Sequence, residues 1–221
     1  MPRHDLDRPS FAAYRLPAGR HGIAPELVAE NQRWRLLGAA AEVLAERGYA
    51  HTKTADIASR AGVSRSTFYE HFDDLAACLL AAYEMAADCL CDLVSGACEG
   101  ERAQDWPARL RAAIEEALAF LASEPALAHL LGPAAPAGDL AIAAARDRLI
   151  NRLAWPLRSG RKLRAEAASA LPPDTERRLA AAALGLISDR VAAGEAARLP
   201  ALVPELAALL SGPYGVPINA S

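Results

Sequence analysis

Residues 54–72, TADIASRAGVSRSTFYEHF, decide how the rest of the chain is read. Ile57, Ala58 and Ala61 share one face of a short helix, and Ala58 is small enough to let another helix cross closely. Gly62 follows, the residue type that best adopts the left-handed conformation ending a helix, with Val63 as an apolar plug in the turn. Ser64 supplies a side-chain oxygen for the N-cap of a second helix, where Thr67, Phe68 and Phe72 alternate with Arg65, Ser66, Tyr69 and His71 around the surface. Upstream, Thr54 has the hydroxyl wanted at an N-cap, and Asp56 complements the helix dipole in the first turn. Two short helices meeting at a glycine turn, the second with one apolar and one polar face, predict a helix-turn-helix.

Just before this stretch, Val28, Leu36, Leu37, Ala40, Val43 and Leu44 recur at helical spacing from Pro25 to Arg47, and Gly48 stops the run. Tyr49, after that glycine, is expected to fold back onto the apolar helix end as a core residue. Residues 1–24 are rich in Pro, Gly and Arg without helical period and are read as a flexible arm; Arg15, Arg20 and His21 give it some basic character. Residues 25–73 then form a three-helix head and 74–221 a helical body. Alanine and leucine dominate and β-branched residues are sparse, so the fold class is all-α.

The formal net charge of the chain is −3. It divides unevenly: residues 1–72 carry ten Lys or Arg against eight Asp or Glu, and the remainder carries 14 against 19. A mildly basic head on an acidic body suits contact with a polyanion at the head alone. The polar helix face fits the major groove of double-stranded DNA, where the first residues of a recognition helix reach base edges and their neighbours fix phosphates. Arg65 can bridge guanine O6 and N7, and Ser66 is short enough to let the backbone approach.

Gly48-Tyr49, Thr54, Ile57-Ala58, Ala61-Gly62-Val63-Ser64 and Thr67-Phe68-Tyr69 with His71-Phe72 together resemble the DNA-binding domain of the TetR family of bacterial transcriptional regulators across residues 33–80. The resemblance implies that Arg65 and Ser66 contact bases, that Thr54, Thr67, Tyr69 and His71 hold the phosphate backbone, and that Ser64 caps the helix at the DNA. It also implies a homodimer on a pseudo-palindromic operator, a small-molecule effector bound in the body, and a connecting helix that acts as the lever between the two. One position departs from the family pattern. Where the family usually has a lysine three residues after His-Phe, this chain has Leu75 behind Asp73 and Asp74, so operator binding is expected to be weaker or more salt-sensitive; Asp74 makes a good N-cap for the next helix.

In the body, helices are expected from Leu75 to about Ala97, broken near Gly96 and Gly100, then over 106–123, 126–131 and 139–158, with the GPAAPAGD run as a breaker. Ile114, Leu118 and Leu121 face inward, and Leu149, Leu153 and Leu157 repeat every four residues. An apolar or amphipathic effector is expected among these stripes, and Met85, Cys89, Trp106, Phe120, His129 and Trp155 are the residues assigned to it; each on its own is equally a packing residue. Pro172-Pro173-Asp174 opens an apolar helix to about Val191, and 199–210 gives another. Their all-round apolar character, with Gly185 permitting close approach, predicts that this pair meets its copy in a four-helix dimer interface.

Cys78, Cys89, Cys91 and Cys98 all fall in one helix without C-x-x-C or paired histidines, so buried reduced thiols are expected rather than a metal site, with a redox switch as the alternative. No cofactor is implied. G-x-S-x-G, H-E-x-x-H, Walker and dinucleotide patterns are absent, and a Cys78–His71 nucleophile pair would have to span a helix break, so the chain is read as a regulator and not an enzyme. The longest apolar run, Leu179–Ile187, is far shorter than the roughly 20 residues that span a bilayer, and the N-terminus lacks a secretory apolar core. A cytoplasmic DNA-binding regulator, of repressor type, is the expectation. Control by a protein partner or by thiol redox state, without a small ligand, is the alternative.

Overall fold

The computed structural model describes residues 25–98, 106–132, 139–163 and 168–215. The expectations for residues 1–24, for Gly100 and for most of the GPAAPAGD breaker lie outside them. Every regular element among the described residues is helical. The chain forms two compact units, Met1–Ala82 and Tyr83–Ser221. Their boundary falls inside one helix, eight residues beyond its start.

The first unit contains α1 (Pro25–Arg47), a 3₁₀ turn (Tyr49–His51), α2 (Thr54–Ala61), α3 (Arg65–His71) and the opening turns of α4 (Leu75–Cys98). Its core is the stripe Leu36, Leu37, Ala40, Val43 and Leu44 of α1 packed with Ile57, Ala58, Ala61, Phe68 and Phe72, all buried. Phe68 is fully buried and lies 5.8 Å from the Phe72 ring. Gly62 has φ 66° and ψ 38°, as the turn requires, and its N–H and that of Val63 close onto the end of α2. A side chain there would also press on the Arg35 guanidinium, which reaches the Gly62 carbonyl at 3.4 Å. Arg60 of α2 bridges Glu42 and Glu46 of α1 at 2.9 and 2.6 Å, and Arg47 meets Asp56 at 2.9 Å.

Three local expectations need correction. Val28 is exposed because the first turns of α1 extend past the core. Tyr49 does not fold back: it opens a 3₁₀ turn and remains 41% exposed, while Thr52 takes the buried place, its hydroxyl donating to the Gly48 carbonyl at 2.8 Å. Thr54 is the first helical residue and not the cap. Lys53 holds the cap position with no side-chain bond, which leaves the Thr54 hydroxyl free to face α3.

The second unit is built around α5 (Trp106–Ser123), which packs against the 3₁₀ segment Ala196–Leu202 and against α10 (Val203–Ser211). The remaining elements are α6 (Pro125–Leu131), α7 (Leu140–Leu153), α8 (Trp155–Leu163) and α9 (Thr175–Ala192). Asp139 caps α7, its carboxylate accepting from the Ala141 and Ile142 N–H groups. The helix expected over 139–158 is broken at Ala154, because Pro156 has no N–H to continue the ladder, and a new helix starts at Trp155 and runs to Leu163. No break occurs at Gly96, which lies inside α4. The segment from 199 begins as 3₁₀ around Pro200 and becomes α only at Val203.

α10 is apolar because it belongs to the core of its own unit: Val203, Leu206, Ala207 and Leu210 are all buried. Both helices of the pair expected at a dimer interface keep an accessible side: on α10 Pro204 and Glu205 are exposed and Ala208 and Leu209 half-buried, and on α9 Ala182 is exposed. A polar cluster closes the base of this unit. Glu176, 6% exposed, accepts from Arg161 Nε at 2.5 Å and from the Tyr214 hydroxyl at 3.1 Å, while Arg161 also donates to the Leu171 and Pro172 carbonyls. The Tyr214 ring stands edge-on to Trp106, whose indole N–H donates to the Pro156 carbonyl at 3.0 Å. Trp106 lies flat against Gly160, where a methyl group would come within 2.2 Å of the indole.

Candidate DNA-binding surface and ligand cavity

The outer surface of the helix-turn-helix is set by the caps beneath it. Ser64 has extended dihedrals and its hydroxyl accepts from the Thr67 N–H at 3.0 Å, so α3 starts where the sequence pattern places it. The same hydroxyl lies 2.6 Å from the Ser66 hydroxyl and 3.0 Å from that of Thr67, which gathers three short hydroxyls at the start of the helix. Arg65 and Ser66 are exposed beside them. Tyr69, 49% exposed, places its hydroxyl 3.5 Å from Thr54 Oγ1, and contact with Thr54 and with the Arg65 guanidinium lowers its pKa from the usual phenol value. Thr54, Ser64, Arg65, Ser66, Thr67 and Tyr69 thus form a continuous hydrogen-bonding face spanning the start of α2 and the length of α3.

His71 is placed differently. It is half-buried, its Nε2 lies 3.4 Å from Gln32 Oε1 of α1, and burial together with the Arg33 charge holds its pKa below the usual histidine value against the opposing pull of Glu70. At neutral pH it is an uncharged ring tied to α1, able to donate one hydrogen bond but carrying no cation for a phosphate. Arg33 stacks over the Phe72 ring at 4.6 Å. Lys53, exposed next to Thr54, was not singled out by the sequence pattern, because a lone lysine between helices carries no spacing signal. At the start of α4, Asp74 does cap the helix, accepting from the Ala77 N–H at 2.8 Å, and Leu75 is half-buried behind it.

The second unit holds an apolar cavity. Leu90 and Val94 of α4, Ile114, Leu118 and Leu121 of α5, Leu153 and Leu157 at the α7–α8 break, Leu184 and Ile187 of α9, and Leu206 and Leu210 of α10 contribute its walls. Every lining residue is a hydrocarbon. As it stands the cavity volume is about 80 Å³, a narrow slot. An apolar cavity that holds benzene measures about 150 Å³, so an occupant must spread the surrounding helices.

None of the six residues assigned to the effector from sequence lines this slot. Met85 and Trp106 are buried elsewhere, Cys89, Phe120 and His129 are half-buried at other helix faces, and Trp155 is 52% exposed. Large or unusual residues drew the assignment, whereas the wall is made of leucine, alanine and isoleucine, which no local pattern separates from ordinary core. The four cysteines are free. Burial raises the Cys78 thiol to about 12 and the Cys91 and Cys98 thiols to about 11; Cys89 is raised by burial and by Asp92 and Asp88. All four are protonated at neutral pH and poorly nucleophilic, which argues against the redox alternative. Among the described residues no cluster of His, Cys, Asp and Glu could hold a metal ion, and no helix is long and apolar enough to cross a membrane.

The described residues thus give a capped helix-turn-helix with an exposed donor face, followed by a second helical unit. Residues 36–82 match the family described as bacterial regulatory proteins, tetR family. The HTH-type transcriptional activator FasR of Mycolicibacterium smegmatis is 38% identical over 106 residues, which cover 48% of this chain and 47% of that protein; the match spans about half of each. The fatty acid degradation regulator FadR from Bacillus halodurans superposes with a TM-score of 0.70 at 21% identity, over 87% of this chain and 98% of the other. The FadR of Bacillus subtilis, solved in complex with stearoyl-CoA, has a TM-score of 0.67 at 21% identity, over 80% and 97%. At that identity these structures speak for the fold.

Proposed function

We propose that the chain is a ligand-responsive regulator that binds a pseudo-palindromic operator as a homodimer in the cytoplasm and leaves it when an apolar or amphipathic molecule with a long hydrocarbon chain enters the body. The observation that carries this reading is the slot walled only by hydrocarbon and reached by α4, the helix whose first turns belong to the DNA-binding unit. Because the slot is too small for a chain as it stands, a ligand shifts the equilibrium toward a wider state in proportion to its preference for that state, and α4 is part of the wall that must move. The stearoyl-CoA bound by the Bacillus subtilis structural relative supports an acyl chain as the occupant.

At the DNA, Arg65 and Ser66 read base edges, and Thr54, Thr67 and Tyr69, with the neutral ring of His71, hold phosphates while Ser64 fixes the start of α3. For the dimer, α7 and α9 pack side by side with Arg177 and Asp147 paired across them at 2.9 Å, and they leave Leu140 85% exposed, Ala182 exposed and open space around Gly185. These small and apolar positions suit a two-fold helix contact. A second reading, that operator binding activates transcription, is favoured by the FasR match, since that relative is named an activator. Both readings share the same site.

The test is a gel shift on operator DNA selected from a random pool, repeated with stearoyl-CoA, for wild type and for Leu118→Trp, which fills the slot. Release of wild type and retention of Leu118→Trp is the expected result, and release of both would remove the slot from the function. In vitro transcription from the same operator assigns repression or activation. Sedimentation of Gly185→Arg at micromolar concentration should show a monomer where wild type is dimeric.

A further inference from the structure

Leu110 of α5, Pro156 of α8, Ala180 of α9 and Leu210 of α10 all line the hydrocarbon slot. Four positions from each of them, on the same helix face or in the 3₁₀ turn that continues α10, stand Trp106, Gly160, Glu176 and Tyr214. These four are buried, yet none lines the slot. They touch one another instead: the Trp106 indole lies against Gly160 and edge-on to the Tyr214 ring, 5.3 Å between ring centres, and the Tyr214 hydroxyl donates to Glu176. The slot therefore stops at a layer shared by four elements, with Trp106 at its centre. Among the lining residues that keep some exposure, Ala117 and Ile187 lie 11 positions beyond Trp106 and Glu176 on their helices, so solvent reaches the slot away from this layer.

An entering chain has to spread the slot, and the two kinds of boundary yield differently. The aliphatic walls are held by non-directional contacts, which slide and re-form as helices part. The floor is held by directional bonds between elements. The Trp106 indole N–H donates to the Pro156 carbonyl at 3.0 Å and the Tyr214 hydroxyl to Glu176 at 3.1 Å, while Arg161 donates to Glu176 and to the Leu171 and Pro172 carbonyls. Displacing this layer would strand a buried carboxylate and a buried indole N–H, which costs more than sliding a methyl group past its neighbour. The slot can widen but not lengthen.

We propose that Trp106 is the length gauge of the ligand site: it stops the inner end of the effector's hydrocarbon chain and so sets the longest unbranched chain the body accepts. This rests on the ligand-responsive reading above and adds the residue that selects among chains of one class. Trp106 acts here as a barrier beyond the last lining residues, held in place by Gly160, Tyr214 and the Pro156 carbonyl.

The test is calorimetric titration of the full chain with straight saturated acyl-CoAs lengthened one carbon at a time. Wild-type affinity should rise about fourfold per added methylene until the chain meets Trp106, and then fall. Trp106→Leu should move that break about two carbons longer. Adding Gly160→Val to Trp106→Leu returns bulk to the place the indole left, and should move the break back toward wild type. Trp106→Phe keeps an aromatic ring beside Tyr214, should move the break about one carbon longer, and replaces Trp106→Leu if thermal melts show that variant unfolded. Weaker binding of every chain with the break unmoved is what a purely structural Trp106 would give, and it overturns the gauge. So does a wild-type affinity that keeps climbing to the longest chain; either result leaves the slot standing. Failure of wild type to bind any acyl-CoA overturns the acyl-chain reading and the gauge together.

Discussion

The outer face of α3 and the slot beside α5 are built from opposite materials. The first is a set of polar side chains gathered from residues 54–69, held in place by caps and a glycine turn that are themselves local. The second draws on five stretches of chain between Leu90 and Leu210 and contains no polar side chain. A surface that recognises DNA must present donors at fixed spacing on a rigid helix, and rigidity of this kind is written in adjacent residues. A slot for hydrocarbon requires only that packing be incomplete somewhere in a core, and incompleteness is a property of the assembled unit.

The largest effect expected to sharpen this contrast is at Phe68, fully buried under the recognition face. Phe68→Ala should cost about 3–5 kcal/mol and abolish operator binding, read by chemical denaturation and gel shift. If the ligand response is lost to the same degree while the fold of the body, followed by its own tryptophans, also collapses, the two units do not stand independently. Next is Gly160→Ala, which drives a methyl group into Trp106 and should destabilise the body by about 1–3 kcal/mol in thermal melts, leaving the half-site preference of the head unaltered. Arg65→Ala should leave stability intact and cost about 1–3 kcal/mol of discrimination at one half-site position; identical affinity for all sequences before and after the change would refute its role.

The smallest effect concerns pH. Burial alone would raise the Glu176 carboxyl, but Arg161, its own backbone and Tyr214 outweigh it and hold the pKa below the usual carboxylate value. A group depressed in the folded state adds stability above its unfolded pKa and loses it as pH falls through the folded one. Wild type should therefore lose more stability than Glu176→Gln as the solution is acidified below about pH 4.5; parallel denaturation curves across that range would remove Glu176 from the account of acid sensitivity.

The same contrast explains what the sequence made legible. Residues 62 and 64 could be read because a left-handed glycine and a hydroxyl cap leave a mark within three residues of where they act. Trp106 and Trp155 misled for the complementary reason: their size suggests a pocket wall, but one is consumed by Gly160 and Tyr214, which lie far away in sequence, and the other faces outward after a proline break. α10 has apolar residues around most of its surface, and only the position of α5 reveals which of them, Val203, Leu206, Ala207 and Leu210, the core of its own unit absorbs. Tyr49 failed on a smaller scale, since Thr52, three residues on, competes for the same buried place.

The capped start of α4 changes how the protein is expected to travel along DNA. The expectation of a steeper salt dependence is revised by counting released counterions: each phosphate contact contributes roughly 0.9 to the slope, so a chain with Leu75 in place of a cation has a shallower dependence, and Leu75→Lys should steepen it. With the Asp74 carboxylate seated on the Ala77 N–H and Asp73 exposed alongside, this corner of the head offers a passing phosphate nothing to hold. Loss of that contact weakens binding to every sequence equally. With Arg65 and Ser66 reading bases as proposed, the dwell time on random DNA should shorten, the search should become a series of brief visits, and a larger share of the residence at the operator should be decided by the bases under those two residues.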